Sequence, residues 1–184
     1  SDSTSYSVAC DSTSAVTTSD TRAHSASYTT TTSAEIGNCV TSIGEQAFQY
    51  FSVLTSCTIG TSVTSIEESA FNSCTSLTSI TIPNSVTSFG DYAFAYCSGL
   101  TSINIPTSIT TIGSYALNEC HSITSITIPN SITTINDGVF RWCSSLTSMT
   151  IPSSITTIGN EAFEMCSGIT NVNIRSSITT IGDE

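Results

Sequence analysis

Apolar side chains recur along this chain in columns that repeat every 23 residues. One column is mostly phenylalanine, a second is leucine or isoleucine, and others place isoleucine or valine between serines and threonines. Self-similarity at a fixed period of roughly 20 to 50 residues is the signature of a solenoid, in which each repeat forms one coil stacked on its neighbours. The pattern therefore predicts a repeat solenoid whose apolar columns face inward.

Each repeat divides into three short elements. Residues 77–83 alternate apolar and polar side chains and end in a proline, which predicts a half-buried strand. Residues 85–90 predict a second short extended piece that turns at a glycine. Residues 91–97 place Phe94 and Cys97 at helical spacing. We therefore expect short parallel strands and a one- to two-turn helix in each 23-residue repeat.

The repeat also defines the domain organisation. Residues 37–184 contain six coils and the start of a seventh, and form the predicted solenoid. Residues 1–36 lack the repeat and are rich in serine and threonine, which predicts an N-terminal lead or cap. The seventh coil stops at Glu184. Because unpaired strand edges pair readily with other chains, we expect head-to-tail self-association into filaments.

The repeated unit Ile-Gly-x-x-Ala-Phe-x-x-Cys, clearest across residues 80–172, resembles the BspA-like class of leucine-rich repeats. The resemblance implies a leucine-rich-repeat coil and a secreted or cell-surface protein that acts in adhesion by binding other proteins. The chain departs from the unit where Phe51 replaces the cysteine, Leu117 replaces the phenylalanine, and Glu67 and Asn136 replace the glycine. The first coil is thus the least typical.

Charge narrows the range of partners. The chain has three arginines, no lysine and 14 acidic residues, which give a net charge of −11. Nucleic acids and anionic membranes reward clusters of basic residues, so neither is expected as a partner. No apolar run approaches the roughly 18 to 20 residues of a membrane-spanning helix, so no membrane insertion is expected. We expect proteins as partners, including copies of this chain, with glycans as an alternative.

The sequence predicts no catalytic, cofactor or metal site. His24 and His121 are the only histidines, and neither stands in a pattern that would assemble a catalytic group. One acidic column follows the glycine turn of the repeats, where carboxylates would cap free N–H groups at a helix start. Calcium would instead need several oxygens to converge on one ion. The column is Glu45, Glu68, Asp91, Asp137 and Asp183.

Two surfaces are candidates for binding. The first is a regular array of polar side chains on the predicted strands: Ser79, Thr81, Ser102, Asn104, Ser125, Thr127, Ser148 and Thr150. It is either a solvated strand face or a template for an ordered ligand, such as a carbohydrate or ice. The chain has no Asn-x-Ser/Thr sequence, so any glycosylation would be O-linked. The second surface is a set of bulky residues on the predicted helical side: Tyr92, Tyr96, Tyr115, Trp142 and Met165.

The eight cysteines fall into two groups. Five form an inward column of buried, reduced thiols, although neighbouring coils at about 4.8 Å are close enough for disulfides between them. This structural cysteine ladder is Cys74, Cys97, Cys120, Cys143 and Cys166. Outside the ladder, Cys39 replaces an outward serine, and we predict that it forms a disulfide with Cys10. Cys57 replaces an inward isoleucine and is expected in the core.

Overall fold

The computed structural model describes residues 4–8, 15–16, 29–174 and 176–183, the first two segments as strand backbone. All strand pairings in this part of the chain are parallel. The strands are β1 (Thr4–Val8), β2 (Ala15–Val16), β3 (Thr31–Ile36), β4 (Ser42–Ile43), β5 (Ser56–Ile59), β6 (Ser65–Ile66), β7 (Ser79–Thr81), β8 (Ser88–Phe89), β9 (Ser102–Asn104), β10 (Thr111–Ile112), β11 (Ser125–Thr127), β12 (Thr134–Ile135), β13 (Ser148–Thr150), β14 (Thr157–Ile158) and β15 (Thr180–Ile181).

Each coil contributes one strand to each of two stacks. One stack has the order β1-β3-β5-β7-β9 and continues as β11-β13. The other has the order β2-β4-β6-β8-β10 and continues as β12-β14-β15. Repeat strands pair with the equivalent residue of the next coil, as Ser65 does with Ser88. This arrangement confirms the predicted solenoid of stacked, parallel-stranded coils.

Strands from the predicted N-terminal lead lie on the first coil. β1 pairs with β3, and β2 pairs with β4. β3 in turn pairs with β5 in the register of the repeat. Beside these strands Val40 and Ile43 are fully buried.

The core is a single linear column between the strands and the turns. Phe48, Phe71 and Phe94 stack face to face with ring centroids 5.1 and 5.4 Å apart. Leu117 continues the column, and Phe140 stacks on Phe163 at 5.5 Å. Four phenyl rings of the column are buried as expected, whereas Phe163, the last, is only partly buried.

The predicted helix in each repeat is wrong. Within the described ranges no residue is helical, and the segment 91–97 is a run of turns. Its N–H groups alternate between two kinds of acceptor. Ala93 and Ala95 donate to carbonyls three residues back in their own coil, at 3.3 and 3.0 Å. Phe94 instead donates to the Ala116 carbonyl of the next coil at 2.9 Å.

Left-handed residues make this alternation possible. Tyr92 and Tyr96 have φ of 56° and 61°, and the equivalent residues of the other coils also have positive φ. An α-helix needs an unbroken run of negative φ, so a left-handed residue at every fourth position prevents one. The bonds to the next coil offset the loss of helical bonds and extend stacking to the turn side.

Candidate functional site

The outward side chains of β7, β9, β11 and β13 form what we call the strand face. All eight polar residues predicted there are exposed: Ser79, Thr81, Ser102, Asn104, Ser125, Thr127, Ser148 and Thr150. Ser79 lies opposite Ser102, and Ser125 lies opposite Ser148. The hydrogen-bonded sheet ends at β9 and another begins at β11. The array therefore continues along the stack, with its strand pairing interrupted between β9 and β11.

Exposed threonines at the ends of the strands form hydrogen-bonded ladders along the stack. The N–H and the hydroxyl of Thr87 both donate to the Thr64 carbonyl, at 2.8 and 3.1 Å. A hydroxyl has one proton, so these hydroxyls present only acceptor lone pairs to solvent. The same double contact is made by Thr55, Thr64, Thr101, Thr110, Thr147, Thr156 and Thr179.

The cysteine ladder is buried, and its thiols are free. Each thiol donates to a core carbonyl 26 residues earlier, as Cys97 does to Phe71 at 3.2 Å. Burial raises the pKa of Cys143 to about 12, which makes a reactive thiolate unfavourable at neutral pH. The ladder consists of hydrogen-bonded core thiols: Cys74, Cys97, Cys120, Cys143 and Cys166.

Cys39 is disulfide-bonded. Its predicted partner, Cys10, lies outside the described residues, so the Cys10–Cys39 pairing stays a prediction. Cys57 is buried with a free thiol.

The outward residues at the left-handed positions of the turns form what we call the turn face. Two such positions occur in each coil, and only Gly138 among them is a glycine. Bulky residues are rare at positive φ because Cβ approaches the following carbonyl. Yet half of these positions carry a large side chain: Tyr50, Tyr92, Tyr96, Tyr115, Trp142 and Met165.

Tyr115 forms one polar cluster on the turn face. Its ring stacks on Tyr92 with centroids 5.2 Å apart, and its hydroxyl donates to Glu161 at 3.2 Å. A Cβ at Gly138 would lie 2.1 Å from the Tyr115 ring, so glycine leaves the space that this ring fills. Burial, together with the Glu161 carboxylate, raises the pKa of Tyr115. Arg141 pairs with Glu161 at 3.1 Å.

A second column of the turn face contains two residues that sequence reasoning missed. Tyr50 and Glu119 share the left-handed position of Tyr96 and Trp142. Glu119 lies one coil from each of them, and Tyr50 lies two coils before Tyr96. Tyr50 is among the most exposed aromatic side chains, at 57%. The 23-residue period could have revealed both, but the assumed helix concealed which residues point outward.

Two members of the acidic column accept N–H groups of the next coil, and neither lies at a helix start. The Asp91 carboxylate accepts the Ser114 N–H at 2.7 Å, and Asp137 accepts the Asn160 N–H at 2.7 Å. These carboxylates therefore accept backbone N–H groups as predicted, but the N–H groups belong to the next coil. Within the described ranges no group of three or more His, Cys, Asp or Glu side chains could hold a metal ion.

At the C-terminal end of the described coils the core is open. A concavity of about 650 Å³ includes Phe163, Met165 and Ile181 in its lining. Ile181 is 60% exposed, whereas the equivalent Ile158 is buried. None of the described residues belongs to a helix that could cross a bilayer.

Solved structures with a similar architecture include bacterial leucine-rich repeat proteins. The Treponema pallidum protein TpLRR aligns with 92% of this chain and 79% of its own, at 22% identity and a TM-score of 0.84. A Bacteroides ovatus leucine-rich repeat protein aligns over 97% of this chain and 53% of its own, at 25% identity and 0.72. The pneumococcal vaccine antigen PcpA aligns over 83% and 47%, at 17% identity and 0.55.

Comparison with curated proteins gave no match. The sequence profile of the BspA type leucine rich repeat region, however, matches residues 21–145 and 65–184, with six copies of the repeat. These matches span most of the chain and agree with the coils of the structure. The chain therefore belongs to the BspA-type leucine-rich repeat family.

Proposed function

We propose that this chain is a non-catalytic, extracellular or cell-surface adhesion protein that binds other proteins through its turn face. Family membership supports a binding scaffold at a surface. The single observation that carries the choice of face is the set of large side chains at left-handed positions. Aromatic residues, methionine and arginine are enriched at protein interfaces, while strained backbone clusters at functional sites.

Three side chains that could suggest an enzyme do not support one. His121 lies 3.4 Å from Ser144 Oγ and 3.6 Å from Glu119. Both distances exceed the roughly 2.6 to 3.2 Å of a nucleophile, base and orienting acid. The His121 side chain is also 40% exposed, so water competes for each contact.

The test compares two variants on a panel of purified extracellular proteins. The turn-face variant combines Tyr96→Ser with Trp142→Ser, and the strand-face variant combines Thr81→Val with Thr127→Val. We expect a panel member that binds the wild type and the strand-face variant but not the turn-face variant. The reverse result would contradict the proposal and would favour recognition of a regular ligand, such as a carbohydrate or ice, by the strand face.

End-to-end self-association is a second proposal, based on the exposed apolar surface around Phe163 and Ile181. Either a further coil or a second copy would cover this surface, and heterologous contacts between copies give filaments. Light scattering over a concentration series, with and without a polar capping coil appended after Glu184, is the measurement. Equal particle sizes at high concentration would refute the proposal.

A further inference from the structure

Three consecutive residues of one turn-face column point the same way. Tyr96, Glu119 and Trp142 have φ of 61°, 58° and 60°. The N–H of each donates to the next coil at 2.8 Å, to the carbonyls of Asn118, Arg141 and Glu164 respectively. Equal backbone conformation and equal register make the three Cα–Cβ bonds nearly parallel, so the side chains leave the stack side by side.

The spacing of the coils sets the width of this column. Neighbouring coils stand about 4.8 Å apart, so Tyr96 and Trp142 stand about 10 Å apart with Glu119 between them. A cation above the Glu119 carboxylate would lie within about 6 Å of both rings, the range of a cation–π contact. Tyr96 is 41% exposed and the Glu119 side chain is 33% exposed, so the column is open to solvent.

The charges around the column favour a cationic occupant. Arg141 is the only arginine within the described residues, and Glu161 and Glu164 already bind it. Within the described part of the chain the ion-pair contact of Glu119 is with His121 at 3.6 Å, and the described Arg141 does not bridge to it. With no lysine and a net charge of −11, the chain has few cations of its own, so an external cation can compete for this carboxylate.

We propose that Tyr96, Glu119 and Trp142 form a slot for the guanidinium group of an arginine on a protein partner. The slot rests on the proposed function, because it gives the chemistry by which the turn face would recognise a partner. A guanidinium is planar, stacks on aromatic rings and donates two parallel N–H groups to one carboxylate. The compact ammonium of lysine can lie over an aromatic face but can neither stack as a plane nor form this two-N–H fork.

Trp142 is the only tryptophan of the chain, so its fluorescence reports directly on the slot. The probe is the capped tripeptide acetyl-Gly-Arg-Gly-amide, with acetyl-Gly-Lys-Gly-amide as its matched control. We expect a saturable change in Trp142 emission with the arginine peptide. Glu119→Gln should weaken binding about tenfold, as loss of a charge-assisted hydrogen bond does, and Tyr96→Ser should weaken it about fivefold.

Glu68→Gln is the control, since Glu68 is an exposed turn carboxylate two coils from Glu119. It should bind like the wild type, and circular dichroism should show that all variants stay folded. Unsaturable emission, or equal binding by wild type and Glu119→Gln, would overturn the slot. Equal binding of the lysine peptide would overturn the assignment to arginine. In each case the comparison of the turn-face and strand-face variants on the protein panel tests the proposed function separately.

Discussion

The strand side of this solenoid projects polar side chains outward and the turn side projects aromatic ones, and the two sets differ in their hydrogen bonding. On the strand side Thr87 uses its hydroxyl proton to bind the preceding coil. On the turn side Tyr96 and Trp142 make no side-chain hydrogen bond within the described residues, and each occupies a left-handed position. The hydroxyl bonds of the threonines stabilise the fold, whereas the left-handed backbone at each aromatic residue costs about 1 to 2 kcal/mol. A residue with a backbone cost and no side-chain hydrogen bond to offset it is the better sign of a binding surface.

The largest expected effect on stability distinguishes the inward from the outward side chains of the turn. Phe94 points into the core and Tyr96, two residues later, points out. Phe94→Ala should lower the free energy of unfolding by about 3 to 5 kcal/mol, because it leaves a cavity in the ring stack. Tyr96→Ala should change it by less than about 0.5 kcal/mol. Urea denaturation measures both, and comparable losses would mean that the turn face is structural.

Alkaline pH should lower the free energy of unfolding, because the buried thiols of the turn side hold their protons more tightly than unfolded thiols do. The pKa of Cys143 is raised to about 12 by burial, against about 8.5 in an unfolded chain. The unfolded thiol therefore loses its proton first, and the stability present below about pH 8.5 is lost as pH rises toward 12. Between pH 8 and 10.5 the loss is about 2 to 3 kcal/mol for such a thiol.

Cys143→Ser removes the pH-dependent contribution of this thiol to stability, because serine can still donate to the Leu117 carbonyl but does not titrate in this range. The variant should show a shallower decline of unfolding free energy than the wild type above pH 9. Parallel declines would mean that this thiol titrates normally in the folded chain.

A smaller effect tests the threonine ladder of the strand side. Thr87→Val removes the hydroxyl bond to Thr64 while keeping the β-branched shape, and should cost about 1 kcal/mol. Thr81→Val, on the strand face, is the matched control and should cost almost nothing, since Thr81 forms no such bond within the described residues. Thermal denaturation compares the two. Similar melting temperatures would remove the structural explanation for the ladder.

The smallest expected effect is a gain in stability. Tyr96→Gly should raise the free energy of unfolding by about 0.5 kcal/mol, because glycine accepts positive φ and this relief exceeds its greater entropy when unfolded. The same change should weaken binding of the arginine tripeptide about fivefold, as Tyr96→Ser does. Guanidinium chloride denaturation beside the fluorescence titration checks both. A loss of stability would show that Tyr96 supports the fold.

Repetition explains why much of the fold could be predicted. Equivalent residues of stacked coils, such as the column from Cys74 to Cys166, have the same surroundings. Once one of them is correctly predicted to face inward, the same prediction holds for the others. The helix prediction failed because the spacing of Phe94 and Cys97 fits both a helix and a run of turns. The choice depends on the Phe94 N–H, which binds Ala116 in the next coil. A local pattern does not contain that bond.

The sequence by itself determined the period, the stacking direction and the inward columns, because each coil must bury the same apolar face against the next. Only the tertiary structure decided which residues are left-handed, since backbone bonds between coils impose that conformation. The same bonds bring Tyr96, Glu119 and Trp142 into one row, although they are 23 residues apart in the chain. Their alignment is a property of stacked coils, and no single repeat encodes it.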